Sequence, residues 1–260
     1  MNGKMGRLKN LFEHKKSGVL NVYFTAGYPS LDSTVEIMKT LQDEGVDIIE
    51  LGMPYSDPLA DGLVIQESSA VALRNGMTIS ILFEQLKNFR KDLNIPVILM
   101  GYMNPVLQYG FEKFCKDAAE VGVDGLILPD LPTYEYETQY GAILKRYGLD
   151  FIFLVTPETS AERVKKLDEL SSGFLYAVSS SSTTGNEKNM SSVNDYIERL
   201  NTYQLKNPIL VGFGIKDKTS FDALKPYANG GIIGSAFIKA LGTGSEYIKS
   251  AKTFVASILK

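Results

Sequence analysis

Val46-Asp47-Ile48-Ile49-Glu50-Leu51 is a run of strand length, rich in aliphatic and β-branched residues, with one carboxylate near its end and more on the loop that follows. Similar short runs recur at 19–25, 97–102, 123–128, 151–155, 174–178, 209–213 and 231–234, which makes eight strand candidates. Segments with helical periodicity lie between them: Leu82, Leu86, Phe89 and Leu93 fall on one stripe, and Ile248, Ala251, Val255 and Ile258 on the last. Two helix starts are marked by capping-box patterns, Ser33 with Glu36 and Thr159 with Glu162. Strict alternation of strand and helix implies parallel strands joined by right-handed crossovers. Eight such units in 260 residues predict a single (β/α)8 TIM barrel over 1–260, with an open doubly wound sheet as the alternative.

Composition narrows the function. The formal charge is -3, with Lys and Arg interspersed among Asp and Glu, so no continuous basic face is available for nucleic acid. The apolar stretch after the basic N-terminal segment is broken at Asn21 and ends at Thr25-Ala26-Gly27, too short for a signal-peptide core or a membrane span. The single cysteine, Cys115, shares a helical stripe with Phe111, Phe114 and Ala118 and reads as packing. One cysteine forms no intrachain disulfide, and a cytoplasmic location is expected. The single histidine, His14, lies among lysines and reads as solvated. Acid/base work near neutral pH therefore falls to carboxylates or tyrosine. No Cys/His cluster has metal-ligand spacing, and no metal is expected.

In a barrel, the C-terminal strand ends and the loops after them carry the chemistry. Glu50 sits there, and alternation points it inward with Ile48, where an ionised carboxylate is costly unless something pairs with or protonates it. It is either half of a structural ion pair or a general acid/base. Asp57 and Asp61 flank Pro58 and Gly62 and could each be a turn residue; composition does not choose between them. Thr184-Gly185, Gly212-Phe213-Gly214 and Gly234-Ser235 place glycine after three successive late strands. Backbone NH groups there and at a helix start could converge on one phosphate, although glycine at a strand-to-helix turn also has a purely conformational reading. Tyr176 would face the same way as Val178, and on its own it reads as core.

The segment Glu50-Leu-Gly-Met-Pro-Tyr-Ser-Asp-Pro-Leu-Ala-Asp-Gly62, followed by Val64-Ile65-Gln66, resembles the signature of tryptophan synthase alpha chains. Phe24-Thr-Ala-Gly-Tyr-Pro29, Gly101-Tyr-Met-Asn-Pro105, Leu128-Pro-Asp-Leu-Pro132, Gly212-Phe-Gly-Ile215 and Gly234-Ser235 extend the resemblance in family order over nearly the whole chain. Leu63 stands where the family usually has proline, and residues 179–185 are richer in serine than the usual loop.

The resemblance implies a carbon–carbon lyase of tryptophan biosynthesis that cleaves indole-3-glycerol phosphate into indole and glyceraldehyde 3-phosphate. It implies that Glu50 is the main acid/base residue, that Asp61 hydrogen-bonds the indole NH, that Tyr176 lies beside the reacting carbon and that Asp57 shapes the loop. It places Tyr23, Met100 and Tyr102 in the indole pocket, and Thr184, Gly185, Gly214, Gly234 and Ser235 in the substrate site around the phosphate. It also implies a beta-subunit partner in an alpha2beta2 complex, with pyridoxal phosphate in that partner and no cofactor in this chain. A phosphosugar isomerase, a catalytically weak allosteric barrel and a self-sufficient lyase are the competing readings.

Overall fold

The computed structural model describes residues 6–178, 190–212 and 214–260. Nine parallel strand segments form one sheet: β1 (Val19–Thr25), β2 (Ile48–Gly52), β3 (Val97–Met100), β4 (Gly125–Ile127), β5 (Asp150–Phe151), β6 (Leu154–Val155), β7 (Leu175–Val178), β8 (Ile209–Gly212) and β9 (Gly230–Ile233). Their order is β5-β4-β3-β2-β1-β9-β8-β7-β6. The outer members, β5 and β6, are consecutive pieces of the run expected as the fifth strand, so the sheet closes on itself as an eight-stranded barrel. The interruption has a local cause. Ser172 and Ser171 accept hydrogen bonds through their Oγ atoms from the backbone nitrogens of Phe151 and Phe153 at 3.0 and 3.1 Å. The main chain re-enters the ladder where Ile152 N donates to Leu126 O and Tyr176 N donates to Phe153 O.

Alternation sorts the side chains. Leu20, Val22 and Phe24 of β1 face the helices, as do Ile49 and Leu51 of β2. Val19, Ile48, Ile98, Ile127, Ile152, Phe174, Leu210 and Ile232 form a separate apolar cluster inside the barrel. The helix Arg7–His14 completes that cluster from below with Leu8 and Phe12, the latter 6.2 Å from Phe174 between ring centroids. Among the described residues the barrel is thus stoppered at its N-terminal end and packed through its middle, which leaves its C-terminal mouth for the polar groups that point inward.

Both expected helix stripes are buried, Ile248 only partly. Cys115 is fully buried, and burial pushes its thiol up to about 12, so it packs and does not react. Both caps fall elsewhere than the patterns suggested. The box is formed by Ser30 and Ser33 around a 3-10 turn, Leu31–Ser33, before the helix Thr34–Asp43. Ser160, not Thr159, caps Ala161–Leu170 by accepting from Arg163 N, while Thr159 Oγ1 is engaged by Thr156 N. At the N-terminal face Asp124 is buried, paired with Arg7 and Arg90, and accepts from Val97 N at 2.8 Å, so it fixes the start of β3. No helix among the described residues is long and apolar enough to cross a membrane.

Candidate active site

The inward positions above the apolar layer are Asn21 and Tyr23 on β1, Glu50 and Gly52 on β2, Met100 on β3, Tyr176 on β7 and Gly212 on β8. Tyr23 and Glu50 are opposite each other in the ladder. Glu50 is fully buried, and no ion pair holds it among the described residues. Its partner is neutral: Asn21 Nδ2 donates to Oε2 at 2.8 Å, and Oε1 has none. Loss of solvent raises the carboxyl to about 8; the Asn21 hydrogen bond opposes that rise and the nearby Asp61 charge adds to it. Among the described residues the ion-pair explanation of Glu50 finds no partner, and burial favours a carboxyl that keeps its proton at neutral pH.

Asp61 belongs to the loop after β2, and the Gly62 cap of the helix Leu63–Arg74 sets where that loop ends. Leu63 occupies the first helical position, where the fixed φ of proline would suit, and its side chain is exposed. Tyr102, just past β3, braces the loop: its hydroxyl accepts from Ala60 N at 3.1 Å, hydrogen-bonds Asp61, and its ring lies 5.3 Å from that of Tyr55. Gln66 Nε2 donates to the Asp61 carbonyl at 2.8 Å. Partial burial raises Asp61 to about 6, with the Tyr102 hydrogen bond pulling the other way. Asp57, by contrast, is exposed and bonded to Ser56, as a loop-shaping residue should be.

The two tyrosines lean up their strands over glycine. A Cβ on Gly52 would lie 2.2 Å from the Tyr23 hydroxyl oxygen, and one on Gly212 would meet Tyr176 in the same way. Burial raises both phenols well above their usual range, and the acidic neighbours Asp61 and Glu50 push both in the same direction. Both hydroxyls therefore stay protonated beside the two carboxylates.

On the side of the mouth formed by β8 and β9, Gly214 has φ +64 with open space at its missing Cβ. Gly234 precedes the helix Ser235–Leu241, and a Cβ there would come within 3.3 Å of the Tyr23 ring. Thr184 and Gly185 lie outside the described residues. The structure thus brings Glu50, Asp61, Tyr176, Tyr23, Met100 and Tyr102 to one mouth, with Gly234 beside it. Read from sequence, neither Asn21 nor Gly52 stands out as a site residue, and Gly212 enters only as part of the late glycine cluster around the phosphate. A polar side chain at an inward position of an apolar run was the available sign for Asn21.

Fold and site together define a (β/α)8 barrel with two unequal carboxylates at its C-terminal mouth, the layout of an acid/base site. The family model of the tryptophan synthase alpha chain matches residues 8–258. The alpha chain of Flavobacterium johnsoniae is 53% identical over 94% of this chain and 97% of that one. Among solved structures, the alpha subunit from Legionella pneumophila superposes with a TM-score of 0.89 at 34% identity, over 98% of this chain and 97% of that one. The A-subunit from Pyrococcus furiosus gives 0.86 at 37%, over 94% and 99%. The chain belongs to the tryptophan synthase alpha chain family.

Proposed function

We propose that this chain is a carbon–carbon lyase that cleaves indole-3-glycerol phosphate into indole and glyceraldehyde 3-phosphate by a retro-aldol reaction. The observation that carries the reading is the placement of two carboxyl groups in unlike surroundings at one mouth, Glu50 fully buried against the Asn21 amide and Asp61 on a half-buried loop braced by Tyr102; burial raises the first to about 8 and the second to about 6, which favours a protonated Glu50 beside an ionised Asp61.

The reaction needs both states. Glu50 donates its proton to indole C3, which turns the ring into an electron sink. Asp61 accepts the indole N–H and stabilises the positive charge that develops at that nitrogen. The bond from C3 to the side chain then breaks, its electrons return to the ring, and the adjacent hydroxyl becomes the aldehyde as Glu50 takes up the hydroxyl proton. Tyr176 stands beside the reacting carbon. Tyr23, Met100 and Tyr102 wall the indole, and backbone NH groups at Gly214, Gly234 and Ser235, together with Thr184 and Gly185, receive the phosphate.

A beta subunit is the proposed recipient of indole, in an alpha2beta2 complex, with pyridoxal phosphate in that partner and no cofactor in this chain. Leu59 and Leu63, on either side of Asp61, are 90% and 69% exposed, which suits a loop that another protein covers. Docking there would close the mouth and exclude water. Cytoplasm is the proposed location. The test is indole release from indole-3-glycerol phosphate by the purified chain, with and without the beta subunit. Slow release, raised tenfold or more by the partner, is expected. Full turnover alone would make the chain a self-sufficient lyase, and none in either condition would leave it an allosteric barrel.

A further inference from the structure

Asn21 occupies an inward position of β1 in a barrel interior whose other members below it are aliphatic or aromatic, and it is fully buried. An amide there is costly to desolvate unless both its ends are used. One end is used, since Nδ2 donates to Glu50 Oε2 at 2.8 Å. Among the described residues, two buried atoms of this pair have no partner: Oδ1 of Asn21 and Oε1 of Glu50. Both are acceptors while Glu50 is ionised, and nothing satisfies either one. A single proton on Oε1 would supply the donor that Oδ1 lacks, and an amide already bonded to Oε2 would then meet the acid through two hydrogen bonds.

We propose that Asn21 is a positioning residue for the acid/base group, holding Glu50 by two hydrogen bonds when it carries its proton and by one when it does not. The inference rests on the retro-aldol reading, in which Glu50 must give up a proton and later regain one. A lysine or arginine at this place would trap the anion, and an aliphatic residue would leave the anion unsolvated; the amide serves both forms in one orientation. The other titratable groups facing Glu50 are Tyr23 on β1, Tyr176 on β7 and Asp61 on the loop after β2. Burial keeps the two phenols neutral, and Asp61 acts on Glu50 only through its charge. That leaves Asn21 as the hydrogen-bond partner in contact with the carboxylate among the described residues. The Asn21 bond lowers the Glu50 carboxyl against the rise that burial imposes, so the one charge-assisted bond to the anion outweighs the pair to the neutral acid and losing Asn21 should weaken Glu50 as an acid.

The test uses the full chain as wild type, Asn21→Leu and Asn21→Asp, two replacements that keep the branch at Cγ. Infrared difference titration without substrate follows the protonated Glu50 carbonyl band, identified by its loss in Glu50→Gln. In both variants the midpoint should rise by about one pH unit or more, in Asn21→Asp because a second carboxyl then shares the proton. In indole release, Asn21→Leu should lower kcat about tenfold or more, leave KM within about threefold and move the alkaline limb up with the infrared midpoint. A midpoint and limb unmoved in whichever variant folds would overturn the proposal, even if that variant were destabilised. If wild type released no indole while the midpoint still moved, the retro-aldol reading would fail and the coupling of Asn21 to Glu50 would stand. Indole release with an unmoved midpoint would refute the coupling alone.

Discussion

The Tyr176 hydroxyl fills the space that a side chain on Gly212 would need, its oxygen 2.4 Å from where a Cβ would sit. The tyrosine reaches the mouth over a residue two rungs further along the neighbouring strand, Gly212 being opposite Val178. Gly212→Ala should therefore push the phenol out of line while sparing the fold. A fall in kcat of about tenfold to a hundredfold, at a melting temperature within a few degrees of wild type, is expected. Unchanged kcat would show that turnover does not need Tyr176 in this place.

The two carboxylates predict a bell-shaped dependence of kcat/KM on pH. Below about 6 Asp61 gains a proton and loses the charge that stabilises the ring cation, and above about 8 Glu50 loses the proton it must donate. Asp61→Asn should lower turnover severely and remove the acid limb. An acid limb retained in that variant would assign it to another group.

Glu50 should also govern stability. Its carboxyl is raised from 4.5 to about 8 in the fold, so the native chain holds a proton that the unfolded chain releases. The favourable contribution is complete below pH 4.5, declines as pH rises to about 8 and is flat beyond. At roughly 1.4 kcal/mol per unit the loss is at most about 5 kcal/mol. Glu50→Gln should abolish turnover, keep substrate-analogue binding within about tenfold, and unfold at higher denaturant than wild type at pH 8.5 but not at pH 4.5. Parallel denaturation curves for the two proteins across this range would contradict the buried, protonated state.

The phosphate site is tested at Gly234 and not at Gly214, because a side chain at φ +64 strains the backbone whatever it meets. Gly234→Val should raise the dissociation constant of a phosphorylated substrate analogue and leave free indole nearly unaffected, as read by calorimetry. Equal losses for both ligands would point to displacement of Tyr23 instead.

The barrel was legible because short, almost continuously apolar runs, buried on both faces, alternate eight times with helical stripes, and Glu50 stood out as a carboxylate where alternation demanded an inward residue. Two kinds of feature were harder to read. The caps moved because Ser30, Ser33, Thr159 and Ser160 all offer hydroxyls within a few residues, and backbone geometry, not spacing, chooses among them. The stopper helix Arg7–His14 did carry Leu8, Leu11 and Phe12 at helical spacing, but nothing local says that such a face fits the foot of a barrel. The room that Gly52 and Gly212 make for Tyr23 and Tyr176 was invisible, because it depends on tyrosines from neighbouring strands. Asp61 was distinguished from Asp57 by resemblance alone; in the structure Tyr102 makes the distinction.

The ladder that joins Val19 to Gly230 closes the barrel with the first strand beside the last. A ribosome delivers these two residues far apart in time, about 10–40 s at ordinary elongation rates. Throughout that interval β1 has a neighbour only on its β2 side, and its other flank presents free backbone NH and C=O groups between apolar side chains. Such a flank is a template for strands of other nascent chains. Truncation before β9 should accordingly yield aggregates and not a weakened enzyme, and the last thirty residues carry as much of the burden of solubility as of shape.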